Sequence, residues 1–240
     1  MTASPDQNAL GPLLSPQLRL LQLASPALPV GAFSYSQGLE AAADAAVVSN
    51  AADTERWIAT LLMRFMARLE APLWLLSYQA FAIADEAALG AQNSFYLASR
   101  ETAAWRDETR QMGWSLAQLA IRLDWLSAKQ RACVQTLGRP AYPLMFAGCA
   151  EALKLPAIVA LSGYLFAWLE GQCVVAQKIL PIGQSAAQEM LFRLAESIPA
   201  IVQDAVKRAG GGLAAVETFA PHLGILAARH ESQYSKMFRS

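Results

Sequence analysis

The stretch AIVALSGYLFAWLEGQCVVAQ, Ala157 to Gln177, decides the fold class. Pro156 stands immediately before it, where a residue without an N–H and with a fixed φ suits a helix start. The stretch is too long for one strand, and it is apolar nearly all round, the pattern of a helix enclosed by other helices. It is therefore expected to be the central helix of a bundle. The apolar run from Leu155 to Leu169 is closed by Lys154 and Glu170, short of the roughly 20 residues that a membrane span needs.

Outward from this segment the same helical grammar repeats. Before it, Asp53 is a candidate N-cap for a helix whose Trp57, Ile58, Leu61, Leu62, Phe65, Met66 and Leu69 share one face, with Arg56, Thr60, Arg64 and Arg68 opposite. Pro72 suits the first turn of a second helix, with Gly90 at its end and Asn93 capping a third. Ser127 opens a further helix that should stop before the turn-forming stretch Gly138 to Pro143, after which a helix covers Leu144 to Leu153. Beyond it, Pro181 and Gly183 break the chain. Helices resume near Ser185 and Pro199, Gly210 to Gly212 form a joint, and a last helix begins near Pro221. No segment alternates apolar and polar residues between hairpin turns, so no sheet is assigned. The expected class is all-α: a single-domain bundle of about ten helices, given the usual length of ~10 to 14 residues each. Residues 1–17 read as a flexible N-terminal segment, 18–228 as the helical domain, and 229–240 as a C-terminal partner-binding tail.

Composition narrows the function. Apolar residues make up 55% of the 240 and charged ones 16%, which is ample for a core. The 19 basic and 19 acidic side chains cancel, so neither nucleic acid nor an anionic membrane is an expected partner. The uncharged run from Leu20 to Leu39 is interrupted by Pro26, Pro29 and Gly31, which rules it out as a membrane helix. The N-terminus has no basic segment leading into an apolar one, so a cytoplasmic location is expected. Cys133, Cys149 and Cys173 are odd in number and widely spaced, as for reduced thiols. The two histidines, His222 and His230, lie in no metal-ligand spacing, and no phosphate loop, dinucleotide fingerprint or nucleophile elbow is present. His230 beside Glu231 makes a poor catalytic pair, because adjacent helix positions point apart. Asp107 and Glu108 read as solvated helix charges, and Met63 and Met66 as core. No catalytic residue is assigned, and the chain is not expected to be an enzyme.

Two segments carry more than packing needs. SPALPVGAFSYSQGLE, Ser25 to Glu40, is a structured connection, yet it bears Leu28, Val30, Phe33 and Tyr35. RHESQYSKMFRS, Arg229 to Ser240, interleaves Arg229, Lys236 and Arg239 with Tyr234, Met237 and Phe238, residue types enriched at interface cores. Both segments closely resemble those of the UreF family of urease accessory proteins. KILPIGQ at Lys178 to Gln184 is similar to a further element of that family, and SRETAAWRDETRQMG at Ser99 to Gly113 to its charged central helix. Lys236 and Met237 stand where the family usually has Arg and Leu, and Trp105 where an acid is usual.

The resemblance implies an all-helical, homodimeric adaptor that binds UreD (also called UreH) and recruits the GTPase UreG to the urease apoprotein, UreABC. Nickel is handled by that complex, with no cofactor held tightly by this chain. It also implies that Pro29, Gly31, Phe33 and Tyr35 face UreG, and that Tyr234, Lys236, Phe238 and Arg239 become ordered on UreD from a tail mobile in the free protein. Two alternatives remain: a GTPase-activating role using Arg239 or Arg106, and a nickel carrier using His230.

Overall fold

Capping residues set where the helices begin in the computed structural model, which describes residues 16–217, 224–226, 228, 230 and 236–239. Helix α1 covers 16–23, and α2 is the short Leu39–Asp44. Helix α3, Ala51–Leu61, passes without a break through a π-helical stretch, Leu62–Glu70, into α4, Ala71–Ile83. Then follow α5, Glu86–Ala98, α6, Ala103–Arg122, α7, Ala128–Leu137, and α8, Tyr142–Ala152. Helices α9, Ala157–Ile179, α10, Gln184–Ala195, and α11, Ile198–Ala209, complete the set. Among the described residues none is in a strand, so the all-α expectation holds.

Several boundaries differ from expectation, each for a local reason. Asn50, not Asp53, is the N-cap of α3, its side chain accepting from the Asp53 N–H at 3.0 Å. Asp53 sits in the first turn instead, where a carboxylate complements the helix dipole and accepts from Ser49 Oγ. Helix α4 ends earlier, at Ile83, because Ala84 turns left-handed and Asp85 caps α5 by accepting from the Ala88 N–H. Gly90 is thus interior to α5. So is Asn93, which caps nothing but accepts from the Ala141 N–H at 2.8 Å and ties α5 to the start of α8. Ser127 does open α7, through a capping box with Gln130. The helix expected near Pro221 begins outside the described residues.

The most enclosed helices are α4 and α8, not α9. Every residue from Pro143 to Glu151 is buried, and α8 packs against α4 through Trp74 and Phe146. Helix α9 lays Leu161, Tyr164, Leu165, Leu169 and Cys173 on the core but leaves Ile158, Val159, Phe166 and Val174 exposed. An apolar circumference does not say which side is covered, since folded proteins retain much apolar surface. By length and composition alone α9 could cross a membrane. In the fold it packs on α10, α11, α4 and α8. All three cysteines are free and buried, as expected of reduced thiols.

Close helix approach depends on small residues. Gly113 of α6 lies against the backbone at Pro140 and Ala141, just before α8, with no room for a β-carbon. Gly148 of α8 faces the Phe81 ring, and Gly163 of α9 lies under Leu20 of α1. A second, smaller cluster gathers Leu39, Ala42, Val48, Val175, Ala176, Ile182, Leu226 and Phe238 at one end of the bundle.

Candidate protein-interaction site

That smaller cluster is where segments far apart in sequence meet. Gln37 and Gly38 both have positive φ, 51° and 87°, and so turn the loop sharply into α2. For a glutamine this conformation costs energy and persists only where neighbours hold it. Gln37 Nε2 donates to Glu108 Oε1 at 2.7 Å, and Gln37 Oε1 accepts from Trp168 Nε1 at 2.5 Å. The loop is thereby tied to α6 and α9. Glu108, expected to be a solvated charge, is buried for this reason, whereas Asp107 is exposed as expected.

One carboxylate organises the C-terminus. Glu40, in the first turn of α2, accepts from the backbone N–H of Met237 at 2.6 Å and of Phe238 at 3.1 Å. His230 Nε2 lies 2.9 Å from the same carboxylate. The Arg239 N–H donates to the Ser34 carbonyl at 2.8 Å, and a side-chain hydrogen bond joins Arg239 to Tyr35. Burial pushes the Tyr35 phenol above its ordinary value, Glu108 adds to the rise, and the Arg239 bond opposes it. Phe238 is only 4% exposed, with Lys178 Nζ 5.8 Å from its ring centre. Residues 236–239 are therefore seated on the body of the protein rather than extended from it. Charge-assisted N–H bonds to the Glu40 carboxylate and burial of the Phe238 ring hold the segment there.

The expected site residues divide accordingly. Phe33 is 71% exposed, Pro29 is exposed beside it, and Gly31 adopts φ 81°, which its missing β-carbon permits. Tyr35 is buried and belongs to the seat of Arg239, so it is not a surface residue. Lys236, Met237 and Arg239 are exposed around the buried Phe238, and Tyr234 lies outside the described residues. The loop, Lys178 and Ile182 of the KILPIGQ element, Glu108 of the charged helix and the C-terminal residues all converge here. Phe33→Ala should therefore leave the melting temperature within about 1 °C, since truncating an exposed side chain opens no cavity. A differential scanning trace showing a clear drop would place Phe33 in the core.

Sequence reasoning passed over Glu70. At the end of the π-helical stretch its carboxylate is buried, accepting from the Tyr96 and Tyr164 hydroxyls and pairing with Arg100 at 2.9 Å. Burial above all raises both phenols well beyond their ordinary value. The Arg100 guanidinium lies over the rings of Tyr96, at 4.2 Å, and Phe65, at 4.5 Å. The signal was an acid in the apolar register four residues after Met66. Trp105, in the position usually acidic, is buried near this arginine, and Arg106 donates to the Arg100 carbonyl at 2.6 Å. Met63 is half-exposed, contrary to its core assignment, whereas Met66 is fully buried. Among the described residues no three His, Cys, Asp or Glu side chains gather as a metal site would require.

The site is thus a meeting, on a helical body, of the loop before α2, the charged helix α6, α9 and residues 236–239. The UreF family model matches residues 48–195. The urease accessory protein UreF of Bordetella parapertussis is 46% identical over 220 residues, covering 92% of this chain and 100% of its own length. That of Cupriavidus metallidurans is 45% identical over 226 residues, covering 94% and 98%. A bifunctional urease accessory protein UreEF of Bordetella bronchiseptica is 47% identical over 221 residues, 92% of this chain but 51% of the relative, so the chain spans about half of that protein. The chain belongs to the UreF family of urease accessory proteins.

Proposed function

We propose that this chain is a non-catalytic cytoplasmic adaptor that binds UreD, recruits the GTPase UreG to the urease apoprotein, and so supports GTP-dependent nickel insertion. It acts as a homodimer, and nickel is cargo of the complex rather than a resident of this chain. The carrying observation is the convergence of distant segments: the Arg239 N–H bonds to the carbonyl of Ser34, next to exposed Phe33, and Glu40 holds the N–H groups of Met237 and Phe238. Exposed aromatic, Met and Arg side chains on a firmly held backbone suit a partner surface.

Co-purification with tagged UreD and UreG tests the reading, and retention of neither at modest salt would end it. Glu40→Gln sharpens the test. It weakens the two N–H bonds and the His230 contact without removing volume, so partner capture should fall about 10-fold or more, the size of a lost charge-assisted bond. The fold should be nearly unchanged in melting temperature. Undiminished capture by Glu40→Gln would show that the seated C-terminus is not part of the surface.

The UreEF relative favours a further partner: its name joins UreE to UreF in one protein, which suggests that a UreE protein also engages this chain. Of the two rivals, a GTPase-activating role would need Arg239 to leave the Tyr35 side chain, or Arg106 to leave the Arg100 carbonyl. A rise in UreG turnover that Arg239→Ala abolished would favour it. A nickel carrier would have to take His230 from Glu40, and tight stoichiometric nickel binding lost in His230→Ala would support that role.

A further inference from the structure

A cavity of about 200 Å³ lies between the end of α1 and the loop that follows it to Gln37, α3, the π-helical stretch, α6 and α9. Phe65, Trp105, Met112 and Val175 give it apolar walls, and exposed Phe33 and Val174 also line it, so it reaches the surface there. Two other lining residues, Arg100 and Gln172, are both more than nine-tenths buried, and each has a side-chain atom without a hydrogen-bond partner. These atoms are Arg100 Nε and Gln172 Oε1. A buried donor and a buried acceptor left unmade cost stability, and both belong to residues that line this one cavity, where an occupant could satisfy them.

Charge and shape narrow its chemistry. An anion is disfavoured, because Glu70 already neutralises Arg100 at 2.9 Å and Glu108 lines the same space. An organic cation is disfavoured too, since the Tyr96 and Phe65 ring faces are occupied by Arg100 itself. What remains is a neutral group that both donates and accepts, and a hydroxyl is the smallest that does so. The rest of the space suits one ring, given that an apolar cavity of ~150 Å³ takes up benzene.

We propose that this cavity binds one neutral aromatic group carrying a hydroxyl, whose O–H donates to Gln172 Oε1 and whose oxygen accepts from Arg100 Nε–H. The group comes either from a free small phenol or from a tyrosine presented by a docked protein. The proposal rests on the cavity alone and stands whether or not the adaptor reading does.

Titration of the full chain with p-cresol and with toluene, followed by NMR, is the test. The wild type should bind p-cresol about tenfold more tightly than toluene, one hydrogen bond's worth of preference. Gln172→Leu should narrow the preference for p-cresol, leaving only what the Arg100 contact supplies, while Ala167→Phe, at a half-buried wall position, should block both. Should Gln172→Leu fail to fold, the wild-type preference and the Ala167→Phe block still decide. Repeating the titration on any co-purified accessory complex separates the sources: lost p-cresol binding indicates a partner's tyrosine, and retained binding a free phenol. Failure of both ligands to bind the free chain at millimolar concentration, or toluene binding as well as p-cresol, would overturn the proposal. So would an ordered water that joins the two atoms and is not displaced.

Discussion

Glu70→Ala is expected to cost about 3–5 kcal/mol, because removing one partner of a buried ion pair leaves the other charge uncompensated. Here the charge stranded is Arg100, already desolvated among aromatic rings, and the Tyr96 and Tyr164 hydroxyls would lose their acceptor as well. For a chain of this size the loss corresponds to roughly 10 °C or more in melting temperature. The polar cluster is not thereby the reason the fold is stable, since replacing a whole buried ion pair by apolar groups is often neutral or better. Combining Glu70→Leu and Arg100→Met with Tyr96→Phe and Tyr164→Phe should recover most of what Glu70→Ala loses. Urea denaturation of both variants checks this, and a Glu70→Ala midpoint close to wild type would mean that water already reaches the carboxylate.

Gly113→Ala should be nearly as damaging, although alanine is the better helix former by about 1 kcal/mol in an exposed helix. The added carbon would fall within contact distance of the Pro140 carbonyl and the Ala141 backbone, neither of which can swing aside as a side chain can. Either α6 moves away from α8 or the turn before α8 is displaced, and Asn93 and Thr109 hold that turn by accepting from the Ala141 and Tyr142 N–H groups. Overpacking of this kind costs about 3 kcal/mol, more than the helix propensity returns. Gly90→Ala, in α5 with open space around it, is the control and should be neutral or slightly stabilising. Equal melting temperatures for the two alanine variants would contradict the close approach.

The helical class, the family and most of the helices were legible in the sequence, because these depend on periodicity, caps and motifs that neighbouring residues carry; α5 was not, its residues being divided between the helices read on either side. It also marked Ser25–Glu40 and Arg229–Ser240 as special, since neither segment's apolar content was explained by its own local structure. Asn93 shows where such reading stops: its capping preference is real, but the acceptor was used across the bundle on Ala141. Glu108 and Glu70 show it again, for whether an acid on a helix is solvated depends on what faces it. Only the tertiary structure decided that α4 and α8 are the enclosed helices, that Glu40 seats residues 236–239, and that Tyr35 lies inside while Phe33 lies outside. Those outcomes rest on contacts between residues as far apart as Ser34 and Arg239, and local spacing carries no term for a hydrogen bond made at that separation.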